Sequence, residues 1–254
     1  MRLYFDQALL RAGVVTQSSD IVQRARCIGA FAWIEQRLFE VVGGWASAET
    51  DDLLKVLFDT ESRVHGWNSL LWKDEMPPEG SLRAESSFSS ENQNMLVAPG
   101  FVTIMDRIES DWQDTGVVSY GHLGVLCKVV LPRLLLTYRI HMVNLSPVTD
   151  GSFARSVNIA YDDIIDIWHA ANLTLEVGWG YPATPSPDSL ASIPPAIPPD
   201  PSAISSPAEM QLYEYIRWAE TQISGRGQAG RAQAGHAEDT IGLLLYPHHE
   251  NPRL

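Results

Sequence analysis

An all-α fold is what this sequence predicts, and three observations carry the prediction. Apolar residues recur every three or four positions over four long stretches between Ser19 and Gly178. Glycine, proline and small polar residues sit at the ends of those stretches, where helices start and stop. No segment alternates apolar and polar residues in the manner of a half-buried strand.

The first stretch follows "TQSSD", where Ser19 or Asp20 can cap, and its seam is Ile21, Ala25, Ile28, Ala32, Glu35, Phe39 and Val42. The spacing predicts a helix ending near Val42, with "GGW" as the stop because glycine takes the left-handed conformation at a helix end without penalty. A second helix is expected from about Thr50, with acids in its first turn where the helix dipole favours them, to about Lys73 ahead of Pro77-Pro78. Its stripe is Leu54, Phe58, Glu61, His65, Asn68 and Trp72. The polar segment "EGSLRAESSFSSENQNM" reads as a loop, and "APGFVTIMDRIESDW" as a short helix. A third long helix is expected from about Val117 to Val143 with a kink at Pro132, and a fourth from "SPVTDGSFARS" to Gly178-Trp179-Gly180.

Composition changes after that point. Pro182 to Pro207 holds nine of the chain's 16 prolines, which favours an extended linker over a packed core. The predicted organisation is therefore a helical bundle over residues 1–180, a Pro-rich linker over 181–207, a docking helix over 208–224 and a disordered Gly/Ala/Gln-rich tail over 225–254.

The bulk properties exclude several function classes. A net charge of −13 disfavours nucleic acid and anionic membrane surfaces as partners. The longest apolar run, "GVLCKVVLPRLLLTYRI", carries Lys128, Arg133 and Arg139 and is too polar to span a bilayer comfortably. "MRLYFDQALLRAGVV" lacks the features of a signal peptide, so a cytoplasmic location is expected. Cys27 and Cys127 lie in apolar contexts and read as buried free thiols. No phosphate-binding loop with lysine, no Gly-x-Ser-x-Gly elbow and no basic stripe with interleaved aromatics is present.

The seams themselves carry ionisable residues, and a charge on an apolar seam costs several kcal/mol unless it is paired or bound to a metal. Glu35 occupies such a position on the first helix, Glu61 and His65 on the second, and Asp162, Asp166 and His169 share one stripe of the fourth. Two acid/His pairs with an acid on another helix have the makings of a carboxylate-bridged metal site. His122 falls on the Val118/Val125/Val129 stripe of the third helix, which carries no Asp or Glu between Val117 and Val143. The bland alternatives are a Glu35 pair with Arg24, Arg26 or Arg37, a Glu61–His65 pair within one helix or with Arg155, and a solvated acidic face around Asp162, Asp163 and Asp166.

The segments "IGAFAWIEQRLFEVVGGW", "HGWNSLLWKDEMP" and "SPVTDGSFARSVNIAYDDIIDIWHAA" resemble the ferritin-like superfamily, and more closely the uncharacterised ferritin-like proteins of actinobacteria. The resemblance covers roughly residues 20 to 180. It implies an up-down bundle, a homodimer, and a metal-dependent oxidase or oxygenase acting on a small organic substrate. Glu35, Glu61, His65, His122, Asp166 and His169 would be the ligands of iron or manganese. The spacing departs from the Glu-x-x-His of such sites, because Glu61 and His65 are four apart and the second pair uses an aspartate. Two readings therefore stand beside it. One is a metal-free bundle enzyme, an isomerase, cyclase or lyase with Glu61 and His65 as its catalytic acid and base. The other is a non-catalytic scaffold with a degenerate metal site.

Overall fold

A computed structural model of the chain describes residues 21–77, 97–110, 117–145, 150–179 and 207–223. The predicted polar loop, most of the Pro-rich linker and the predicted tail lie outside the described residues. The described elements are helices α1 (Ile21–Ala48), α2 (Asp52–Asp74), α3 (Pro99–Ser110), α4 (Val117–Val125), a π-helical turn (Leu126–Val130), α5 (Leu131–Asn144), α6 (Gly151–Trp179) and α7 (Pro207–Ile223). The described residues contain no strand, so the all-α prediction holds.

Helix α1 runs through Gly43-Gly44-Trp45 and does not stop at Val42 as the sequence suggested. The reason is packing. A Cβ at Gly43 would lie 2.8 Å from Ser62 Oγ, so the glycine lets α2 approach closely. Trp45 beyond it is buried against Phe58 and His122, which holds the last turns in helical register. Helix α2 starts two residues later than predicted, because Asp51 is the cap: its carboxylate accepts from the backbone N–H groups of Leu53 and Leu54.

The expected kink at Pro132 takes the form of the π-helical turn just before it. Leu131 N–H bonds to the Leu126 carbonyl, five residues back, and Pro132 has no N–H with which to continue the ladder. The Arg133 guanidinium reaches back to accept that local disruption, donating from Nη1 to the Val129 carbonyl at 3.0 Å.

Contacts fix the direction of each helix. Phe39 meets Ser62 while Ala32 meets Ser69, so α1 and α2 are antiparallel. Trp72 packs on Tyr138 and Phe153 at one end of the bundle, and Trp168 bonds to the Cys127 carbonyl nearer the other. Helices α2 and α4–α5 therefore run the same way and α6 runs back, giving two antiparallel pairs joined by one crossing connection that contains α3. Helices α3 and α7 close the remaining side. Arg37 of α1 holds Asp106 and Glu109 of α3, and Arg133 of α5 pairs with Glu220 of α7 at 2.5 Å. The apolar core between the helices is continuous and includes Phe31, Phe58, Trp72, Phe101, Trp168 and Ile216. No described helix is long and apolar enough to cross a membrane.

At Gly100 the backbone of α7 packs directly on α3. A Cβ there would lie 2.3 Å from the Gln222 carbonyl oxygen, a backbone atom that cannot swing aside. Gly100→Ala is expected to cost about 1–3 kcal/mol in chemical denaturation, the usual range for overpacking. Gly44→Ala, with nothing within 4 Å of the added methyl, is the control and should stabilise by about 0.5–1 kcal/mol through helix propensity.

Candidate functional site

The α1–α2 contact is close because the residues facing α1 from α2 are small. Ser62 Oγ donates to the Phe39 carbonyl at 3.0 Å and Ser69 Oγ to the Ala32 carbonyl at 3.3 Å. Between those two levels, Glu35 of α1 and His65 of α2 point toward one another inside the bundle. His65 Nδ1 lies 2.6 Å from Glu35 Oε2, and both side chains are fully buried. A carboxylate oxygen can only accept, so Nδ1 carries the proton and Nε2 faces the other way.

The second oxygen of Glu35 is also engaged. The Tyr138 hydroxyl of α5 donates to Glu35 Oε1, and Trp72 Nε1 of α2 in turn donates to the Tyr138 oxygen at 3.2 Å. Phe31 fills the space beside this chain, its ring 4.9 Å from Trp72 and 4.8 Å from Tyr138. Burial, and then the Glu35 charge beside it, pushes the Tyr138 hydroxyl well above its ordinary pKa, so it remains a donor. The result is a buried chain, Trp72–Tyr138–Glu35–His65, in which each link joins a donor to an acceptor. Such a chain holds the imidazole in one orientation and one tautomer.

What it holds is an imidazole edge with nothing to bond. His65 Nε2, both carboxylate oxygens of Glu61 and Asn68 Nδ2 are buried and have no hydrogen-bond partner among the described residues. The three residues follow one another at spacings of four and three along the inner stripe of α2. Burial alone raises the Glu61 pKa from 4.5 to about 8, so the carboxyl holds its proton at neutral pH. Glu61 faces the π-helical turn closely enough that its charge adds to the burial that pushes the Cys127 thiol up to about 12. Single π turns inside α-helices recur at functional sites because the extra residue re-aims neighbouring side chains.

The other residues expected at this centre are elsewhere. Asp166 and His169 lie on the exposed face of α6, with Asp162 exposed beside them, which matches the solvated acidic face and not a ligand set. His122 is buried, but its ring stacks on Trp45 with centroids 4.3 Å apart and is tilted against Tyr215. Of the six proposed ligands, only Glu35, Glu61 and His65 face the interior between α1 and α2. Glu35 is occupied by His65 and Tyr138. Among the described residues no group of three or more His, Cys, Asp or Glu side chains is placed to hold a metal ion. The donor set therefore does not fit a carboxylate-bridged iron or manganese pair, which needs acids from several helices around one point.

Of the three arginines that were the alternative partners of Glu35, Arg24 pairs with Asp150 at the α6 start and Arg37 with Asp106 and Glu109 of α3. The expected Glu61–His65 pair within one helix is replaced by the cross-helix pair from His65 to Glu35. Both cysteines are buried and free, as predicted. A second buried polar cluster lies deeper in α4–α6. Lys128 Nζ donates to Asn172 Oδ1 at 2.7 Å, and Asn172 Nδ2 donates to the Trp168 carbonyl at 2.8 Å. Nothing in the residue pattern distinguished Lys128 from a surface lysine, because its burial follows from the phase of the π turn.

No family model, no curated protein and no solved structure matches this chain.

Two outcomes follow from this geometry. In the unfolded chain Glu61 titrates at its ordinary value of 4.5, and in the folded chain at about 8. Between those values the native state keeps a proton the unfolded chain has lost, so Glu61 makes stability fall as pH rises, by at most about 1.4 kcal/mol per pH unit, and the slope ends above the folded pKa. Glu61→Gln should remove that slope, with denaturation midpoints at pH 5, 7 and 9 converging on or exceeding wild type as pH rises. Tyr138→Phe leaves Glu35 Oε1 and Trp72 Nε1 buried without partners and should cost about 1–3 kcal/mol by the same measurement.

Proposed function

We propose that this chain is a helical-bundle protein that performs acid/base chemistry on a small molecule admitted to its interior. Glu61 is the acid and His65 the base. The observation that carries this reading is the pair of buried, adjacent, unpartnered groups on α2, one a carboxyl that holds its proton at neutral pH and the other an imidazole nitrogen. Glu35, backed by Tyr138, orients the imidazole and balances the positive charge it acquires on taking a proton.

In such a site His65 Nε2 removes a proton from a carbon next to a carbonyl, while Glu61 gives its own proton to the carbonyl oxygen on which charge develops. Returning the protons at different positions gives an isomer, and loss of a leaving group from the enol gives elimination. A tyrosine and a glutamate behind the base leave its reactive edge as the only part free to move a proton. Both groups have zero exposure, so a substrate reaches them when α2 and its neighbours part, a motion of the microsecond-to-millisecond class.

The ferritin-like build is proposed here for the arrangement of helices and not for its metal chemistry. Two antiparallel pairs joined by a single crossing connection support it. Metal-dependent oxidation is the weaker reading, because its donors are divided between the interior and the outer face of α6.

The test is hydrogen–deuterium exchange into a panel of small ketones, enones and β-hydroxy carbonyl compounds in heavy water, followed by proton NMR. Wild type is expected to exchange at least one member, with the rate falling about 100-fold or more in Glu61→Gln and in His65→Asn. Exchange that survives in both variants contradicts the assignment. A panel with no exchange and no thermal shift from any member also counts against it.

A further inference from the structure

Helix α2 carries two apolar stripes. The inner one faces the core, and the outer one runs Leu53, Val56, Thr60, Arg63, Trp67 and Leu70, at alternating spacings of three and four. Four of these six are large apolar residues left in solvent, with Leu53 58%, Val56 65%, Trp67 69% and Leu70 58% exposed. Phe39 of α1 extends the patch, and a groove of about 450 Å³ between Phe39, Arg63, Gly66, Trp67 and Leu70 runs along it. A three/four repeat is the a/d seam of a two-stranded coiled coil, and here it runs for about five turns with Thr60 and Arg63 at its centre.

We propose that this face binds the same face of a second copy of the chain, with the two α2 helices antiparallel about a two-fold axis at the level of Glu61 and Ser62. The pattern is self-complementary in that register. Leu53 meets Leu70 of the second copy, Val56 meets Trp67 of the second copy, and Thr60 meets Arg63 of the second copy. Every layer is closed by its symmetry mate, as an isologous interface requires. In an antiparallel seam a positions face d positions, and Leu53, Thr60 and Trp67 occupy one set while Val56, Arg63 and Leu70 occupy the other.

The charges beside the stripe select the direction. Asp52 and Lys73 flank it on one side and both are exposed. Antiparallel pairing sets Asp52 of each copy beside Lys73 of the other, and it brings Asp59 toward Arg63 across the axis. Parallel pairing would stack Arg63 on Arg63 and would leave Asp52 and Lys73 of the two copies on opposite sides of the seam, with no ion pair between them. Like charges opposed in this way suppress the wrong geometry more strongly than opposite charges strengthen the right one. A membrane is the less suitable occupant of the face, since the chain carries a net charge of −13.

The experiment uses the full chain. Sedimentation velocity over a concentration series should show a reversible dimer, and Trp67→Asp should weaken it at least tenfold; Val56→Asp is the second variant should the first alter the fold, as checked by circular dichroism. Lys73→Asp should weaken association and Asp52→Lys with Lys73→Asp should restore it. Leu53→Cys combined with Leu70→Cys, oxidised with copper phenanthroline, should give a covalent dimer, while either substitution alone gives none, because Cys27 and Cys127 are buried. A monomer at every concentration overturns the proposal, as does a dimer indifferent to both Trp67→Asp and Val56→Asp. Cross-linking of each single cysteine variant to itself indicates parallel pairing and overturns it too. Binding only to a different protein through this face, with the isolated chain monomeric, likewise rejects the second copy as occupant.

Discussion

The structure depends on how one buried carboxylate is satisfied. Glu35 sits at zero exposure in the first helix, and an ion in that position costs several kcal/mol unless both of its oxygens are met. His65 meets one and Tyr138 the other, so three of the main helices are tied at a single point. The apolar contacts around that point, Phe31 on Trp72 and on Tyr138, can be re-arranged among many similar packings. The polar chain cannot, since breaking any of its links leaves a buried polar atom without a partner. Packing supplies most of the stability of a bundle, and a network of this kind specifies its register.

That constraint explains where the chemistry lies. Once Glu35 has taken the Nδ1 edge of His65, the Nε2 edge is left facing the interior beside Glu61, which no described cation neutralises and which burial keeps protonated. A fold under selection for stability alone has an inexpensive alternative at this position, because a leucine or methionine would fill the same space without an unmet polar atom. Two such residues side by side, one positioned by a relay and the other with its acidity shifted toward neutrality, are the mark of a site where protons are moved. The two ends of the arrangement serve different purposes: the relay is fully satisfied and rigid, and the Glu61–His65 edge is deliberately short of partners.

Most of the fold was legible from periodicity. The seams of α1 and α2 named Glu35, Glu61 and His65 as inward-facing, because a three/four spacing determines which side of a helix a residue occupies. It does not determine what stands opposite. Glu35 was read as a metal ligand, with an arginine partner as the alternative, and it meets a histidine and a tyrosine, while Arg24 and Arg37 reach Asp150 and α3. Nothing in the residue pattern of the third long stretch singles out Tyr138. Its direction depends on the π turn at Leu126–Val130, which shifts the phase of everything after it and leaves no periodic signature of its own. Asp166 and His169 share a stripe, yet the stripe is the outer one of α6, and spacing alone cannot tell an outer stripe from an inner one when both carry apolar residues. The same ambiguity hid the end of α1: a glycine pair reads as a stop, whereas here Gly43 serves the close approach of two helices.

Glu35 fixes the tautomer of His65, and the chemistry proposed for the Nε2 edge depends on it. Nitrogen-15 NMR of selectively labelled histidine tests it most directly, with His65→Asn used to assign the signal. The expected result is a proton on Nδ1, shifted downfield by its bond to a carboxylate and protected from exchange with solvent, in a signal that Glu35→Gln moves or broadens. A neutral His65 with its proton on Nε2 and a bare Nδ1 would contradict it, because the edge offered to a substrate would then be the one assigned here to Glu35.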